Sequence, residues 1–412
     1  MPLSGGMQMT NFERMMRTIR GEPTDQIPWA PRMDLWCISL RARNELPSKF
    51  AGRNTAEIAD VLDVACHSVR ADYTQTRDPR DLALRGFALD NHQDYPYRVE
   101  MHDFPVEFHH DDENLRTTIR TPKGEVTTHL QFNAEMKRKG ITIPFVKQYA
   151  ISSVKDFEAV GLIFDHLEVI PTPEAYARFH ERVGERGLAV ANGLSLASPM
   201  HLILHDLMPM EQFFYAQADE PEALRELADR MVPFFEKALN AALMSRAEVL
   251  FCGGNYDDAL TPPPFFMQEI APWLRKLSER VHAAGKILLT HCDGENRRLM
   301  THYPSCGFDI AESVCPAPMT YCTLAELRAG VGPHITIWGG IPAVALLDNS
   351  MDDATFEAYL DEMFANLGTG ERLILGVSDN VPPDTNLTRI ERIKERVKAF
   401  GSVHPLNKTA AK

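Results

Sequence analysis

From about residue 186 onward, short apolar runs of four to seven residues alternate with polar or Gly-rich turns and then with stretches of helical period. The runs occupy 188–192, 249–252, 286–290, 309–314, 335–338 and 373–377. A strand followed by a helix needs a crossover to reach its next neighbour, so six such units predict parallel strands. Two further candidate strands lie upstream, at 27–32 and at 64–69 after the helical stretch 55–62. Six and two make eight, the number that closes a barrel. The rival, an open doubly wound sheet, lacks its GxGxxG fingerprint after every run. The expected fold is therefore an α/β (β/α)8 TIM barrel.

The intervening helices are marked clearly. Phe266, Ile270, Trp273, Leu277 and Val281 recur at spacings of three and four over 264–284, with Gly285 as the stop. Phe356, Leu360, Phe364 and Leu367 do the same over 351–367, between a Ser350/Asp353 start signal and Gly368. Pro233 and Pro272 fall inside helical patterns, which predicts kinks or a broken first turn. The rhythm breaks at about 95–150. There 115–120 and 125–130 alternate around Thr121-Pro-Lys-Gly124, a β-hairpin signal. We read residues 1–400 as one barrel domain carrying this β insertion, and 401–412 as a C-terminal tail.

Composition excludes several classes. A formal charge of −14 and the absence of a basic stripe argue against nucleic acid as partner. No apolar run approaches the roughly 18 residues of a membrane span. The opening Met1–Met9 lacks the basic and apolar regions of a secretory signal. Seven cysteines, an odd number without any CxxC pair, read as reduced thiols of a cytoplasmic enzyme.

In a barrel of this kind the reactive groups sit at the C-terminal ends of the strands. The run ending at Cys252 is followed by Gly253-Gly-Asn-Tyr-Asp-Asp258, and the run ending at Thr290 by His291-Cys-Asp-Gly294. Glu312 lies near the end of the next run, and Asp379 follows the last. His291 and Asp293 at i, i+2 should face the same way, a two-ligand start for a divalent metal that Glu312 and Asp379 would complete. The same pair without metal is an imidazole oriented by a carboxylate, able to act as acid or base near neutral pH. Asn255 and Asp257 could orient substrate or take part in catalysis, or simply cap the next helix. His109-His-Asp-Asp112 reads as a solvated loop.

These residues, in this order, resemble the uroporphyrinogen decarboxylase superfamily and its methyltransferase-like branch. The resemblance rests on Asn11-Phe-Glu-Arg-Met-Met-Arg-Thr-Ile-Arg-Gly-Glu-Pro-Thr-Asp-Gln-Ile-Pro28, the hairpin at 121–124 and the Asp-bearing turn at 255–258. It extends through His291-x-Asp-Gly294, Trp338-Gly-Gly-Ile341 and Gly376-Val-Ser-Asp-Asn-Val-Pro-Pro-Asp-Thr385, covering about residues 9–400. It implies a (β/α)8 barrel, commonly a homodimer. Zinc-dependent members of that branch use a His-x-Cys pair, an acid about one strand on and a distant Cys. The resemblance puts Asp293 and Asp379 at the Cys positions and Glu312 near the acid, exchanging sulfur for oxygen. Such a site would hold a stronger Lewis acid, less selective for zinc. Tetrapyrrole decarboxylation is disfavoured by the same resemblance, because of the decarboxylases' N-terminal Arg-rich signature only Arg32 is present, followed by Met33-Asp-Leu-Trp36, and Asp379 stands where decarboxylases carry His.

The leading expectation is a metal-dependent methyltransferase or demethylase of a small methylated substrate. Its metal ligands would be His291, Asp293, Glu312 and Asp379, with zinc as the expected ion. Asp257 would assist catalysis, and Asn255, Trp338 and Arg32 would bind substrate. Relatives often exchange methyl groups with a separate corrinoid protein, and this chain has no Asp-x-His-x-x-Gly cobalamin motif of its own. The alternatives are a metal-independent lyase or decarboxylase using His291/Asp293 as an acid–base pair, and a non-catalytic binding protein on a barrel scaffold.

Overall fold

The computed structural model describes residues 9–70, 77–141 and 143–405. Met1–Gln8 and the end of the expected tail, 406–412, lie outside the described residues. The strands begin with β1 (Cys66–Ser68). Next come β2 (Tyr97–Met101), β3 (Val106–His110), β4 (Asn114–Thr121), β5 (Gly124–Gln131), β6 (Phe145–Gln148) and β7 (Leu167–Pro171). The rhythm then resumes with β8 (Gly187–Leu194), β9 (Val249–Cys252), β10 (Ile287–His291), β11 (Ile310–Val314), β12 (Thr336–Pro342) and β13 (Leu373–Ser378).

Seven of these form one curled parallel sheet in the order β1-β8-β9-β10-β11-β12-β13. The eighth barrel position, expected as a strand at 27–32, is an extended segment instead. Pro28 and Pro31 cannot donate to a ladder, so regular pairing fails there. The segment still bridges the gap. Ala30 N donates to Leu375 O (2.8 Å), Leu375 N to Pro28 O (2.9 Å), and Ala65 N to Trp29 O (2.8 Å). Trp29 thus pairs in parallel with Leu375 on one edge while its carbonyl holds the start of the other.

Alternation along the strands splits the apolar side chains into two layers. Ala30, Ala65, Leu188, Val190, Val249, Phe251, Leu289, Ile310, Trp338 and Ile374 pack with one another inside the ring. Met15, Met16 and Ile19 of the opening helix, Asn11–Arg20, join this cluster. The intervening residues, among them Leu250, Leu288, Ala311, Ile337 and Leu375, pack outward with the helices.

The helix expected over 264–284 runs from Pro263 to Ala283 but contains a π-helical turn, Phe266–Ile270, directly before Pro272. That is how the chain absorbs the proline's missing N–H. Pro233 is carried inside an unbroken helix, Pro221–Leu243. The helix expected from 351 starts later, at Asp353, and its cap is Asp352 rather than Ser350. The insertion hairpin is present, with Thr121 paired to Gly124, and widens into a four-stranded antiparallel sheet β3-β4-β5-β6. His109 and His110 belong to β3 rather than to a loop, paired with Arg116 and Leu115 and exposed to solvent. Strand β2 pairs antiparallel with β7. All seven cysteines are buried thiols. No helix among the described residues is long and apolar enough to cross a membrane.

Candidate active site

Inward alternation places His291 after Leu289 on β10 and Glu312 after Ile310 on β11, side by side in register. His291 Nδ1 and Glu312 Oε2 are 2.5 Å apart. The other carboxylate oxygen, Oε1, meets His67 Nε2 of β1 at 3.1 Å. Glu312 is therefore clamped between two imidazoles, and all three side chains are less than a tenth exposed. The His67 ring lies 4.9 Å from that of Trp338, which is only 1% exposed and backs the pair. Glu312 is also re-aimed by a β-bulge. The β11–β12 register shifts between Glu312 and Val314, and Ser313 adopts a left-handed φ of 62°.

Asp379 arrives from the end of β13. Arg32 Nη1 donates to its Oδ1 (2.7 Å) and Asn380 Nδ2 to its Oδ2 (2.7 Å). Arg32 is itself held by Asp34, Nε to Oδ2 at 3.0 Å. Asp379 keeps 31% of its side chain accessible, so it is the member of the group that faces the cleft.

The electrostatics follow from these contacts. Burial opposes charging of His291, but Glu312, followed by Asp379 and Asp293, outweighs it and raises the imidazole above its ordinary value. Burial likewise opposes ionisation of Glu312, yet His291 and His67 hold its carboxyl well below the usual range. Asp379 is lowered against burial by Arg32 and His291. Asp293 moves the other way. Burial raises it, His291 pulls it down, and the like charge of Asp379 adds to the rise.

The structure brings together three of the four expected ligands. Donor atoms of His291, Glu312 and Asp379 all lie within 4.8 Å of one another. Asp293 is outside this group, its Oδ1 accepting the N–H of Gly294. The reason is local: β10 ends at His291, so strand alternation no longer governs residue 293. Asp257, expected as catalytic, is occupied by backbone amides. Its Oδ1 accepts from Ala259 and its Oδ2 from Glu295, which ties the loop after β9 to the loop after β10. Asn255 has a left-handed φ of 57° and places Nδ2 3.2 Å from His205 Nε2. Arg32, expected to bind substrate, holds Asp379. Sequence reasoning missed His67, although its parity with the inward Ala65 marks it, and missed Asp34 and His205, which carry no spacing signal.

An imidazole with two carboxylates is a donor set that divalent cations accept. His291 Nε2 has no hydrogen-bond partner among the described residues, while Nδ1 is tied to Glu312, the way ligating histidines are usually oriented. Asp379 and Glu312 also bring like charge together, which a cation would relieve. These residues therefore fit an ion. Cys315 is not a member of the group, and burial pushes its thiol up to about 12.

A parallel barrel with buried imidazoles and carboxylates gathered at the C-terminal ends of its strands defines a TIM-barrel-type enzyme scaffold. The uroporphyrinogen decarboxylase family model matches residues 126–400, and the chain belongs to that family. A solved structure similar to it is a methyltransferase from Methanosarcina mazei, with a TM-score of 0.54 and 14% sequence identity. The match covers 95% of this chain and 99% of that one, and at this identity the likeness is one of fold. No curated protein matches the sequence.

Proposed function

We propose that this member of the family removes a methyl group from a small methylated substrate with the help of a divalent ion, zinc being the expected one. The observation that carries the reading is the convergence of His291, Glu312 and Asp379 at the barrel mouth. Those three residues would hold the ion, which would supply Lewis-acid polarisation of the heteroatom bearing the methyl. Glu312 fixes the tautomer and direction of His291, and His67 fixes Glu312. Arg32 steadies Asp379 where it meets the cleft. Asn255, held against His205 one residue after Gly254, would orient the substrate beside His291. The methyl acceptor would be a reduced corrinoid on a separate protein, and the chain would act in the cytoplasm as a homodimer.

The test is metal analysis of purified protein alongside a demethylation assay. A stoichiometric ion, lost together with activity in His291→Ala, supports the reading; full activity in metal-free protein overturns it. One observation favours a second reading, a metal-independent lyase. Both oxygens of Glu312 already meet imidazoles and both oxygens of Asp379 already accept hydrogen bonds, so the two carboxylates are satisfied without an ion. Metal-free turnover lost in His291→Ala supports that one.

A further inference from the structure

Two backbone irregularities meet at a single hydrogen bond on the lip of the cleft. The first is the π-helical turn Ile203–Leu207, which follows β8 at its C-terminal end and carries His205. Such turns cluster at functional sites because the extra residue re-aims a side chain. The second is Asn255, a non-glycine residue held at a φ of 57°. Its side chain lies against His205 Nε2 (3.2 Å), while Asp206 Oδ1 holds Nδ1 at 3.0 Å.

This pair stands next to the His291 cluster. Gly254, one residue before Asn255, is so close to His291 that an added Cβ would sit 3.1 Å from the Cβ of His291. The His205 side chain stays 31% exposed, whereas His291 is 8% exposed. Its neighbour His201 is fully buried, its ring 5.9 Å from that of His205 and 5.6 Å from that of Tyr256. Burial lowers His201 far below its ordinary value, so it stays neutral. The charged groups that act on His205 are Asp206 beside it and His291 of the neighbouring cluster. Against burial, Asp206 raises the His205 imidazole.

We propose that His205 is a catalytic residue, the proton donor to the heteroatom that loses its methyl group. The inference rests on the demethylation reading above. In the step, the carbon–oxygen bond of a methyl ether breaks with its electron pair left on oxygen. The acceptor's own pair forms the new bond to carbon. The proton on His205 Nε2 moves to the oxygen, leaving an alcohol and a neutral imidazole that water reprotonates. Asp206 keeps the ring oriented with Nδ1 as donor throughout. The Asn255 amide serves both states, its oxygen accepting from protonated Nε2 and its NH2 donating to the neutral nitrogen.

A leaving group that departs neutral needs no proton, and this separates the role from mere packing. The experiment compares a phenyl methyl ether with the matching phenyl dimethylsulfonium ion, using reduced cobalamin as acceptor, in wild type, His205→Gln and Asn255→Gly. His205→Gln is expected to lose about 100-fold or more on the ether and only a few-fold on the sulfonium ion. Asn255→Gly, which keeps the left-handed backbone, should show the same selectivity with a smaller loss. Equal losses on both substrates, or none, overturn the role of His205 while demethylation stands. Turnover of neither substrate by the wild type overturns demethylation and this role with it. Circular dichroism of each variant checks that the fold is kept.

Discussion

Glu312 is coupled to both His67 and His291, and its effect on stability has a defined pH window. Its folded pKa is depressed, so its contribution is present above the unfolded value of about 4.3 and lost as pH falls through the folded one. His291 is raised, so its contribution is complete below about 6.5 and lost as pH rises through its higher folded value. The stability difference between wild type and Glu312→Gln should therefore be greatest between about pH 5 and 6.5. Denaturant titrations across pH check this, and a difference that stays flat would count against the coupling. Gly254 gives a second prediction. A methyl there forces His291 aside by a few tenths of an ångström, so Gly254→Ala should cost roughly 10-fold in activity, with little change in melting temperature.

Among the elements, the β11–β12 pair does more than build the wall. Gly339 sits opposite the bulge at a φ of 146°, and a Cβ there would meet Val314 O at 2.6 Å and Val314 N at 2.7 Å. Gly339→Ala must open the pairing that aims Glu312, and we expect at least 3 kcal/mol of destabilisation, on the order expected for strain in a core strand, by denaturant unfolding. Helix Thr55–Leu62 is a simpler case. Its capping box joins Asn54 and Glu57, so Asn54→Ala should cost about 1 kcal/mol without touching activity. The helix boundaries were legible because caps and apolar spacing are local signals. The bulge at Ser313 was not, since nothing in Asp309-Ile-Ala-Glu-Ser-Val314 distinguishes it from a regular strand. The π-turn bearing His205 was equally silent.

At the scale of the whole molecule, ring closure depends on a segment that is barely a strand. Trp29, 3% exposed, anchors the stretch between β13 and β1. Trp29→Ala should remove about 3–5 kcal/mol of stability and loosen both edges, to be read by denaturant unfolding and by hydrogen exchange at Ala65 and Leu375. Much of this architecture is written in the order of residues. Period two followed by period 3.6, repeated, specifies parallel strands and crossovers, and strand parity alone turns His291 and Glu312 inward. Those are properties of neighbours along the chain. Which inward groups touch is a property of closure. The pairing of Arg32 with Asp379 spans 347 positions and that of His67 with Glu312 spans 245, and no local period encodes either. Asp293 fell outside the cluster for the same reason in reverse, because alternation stops where the strand does. The sequence by itself determined the layers and the candidate acids. Only the curled sheet decided which of them share charge, because an electrostatic contact depends on distance in space.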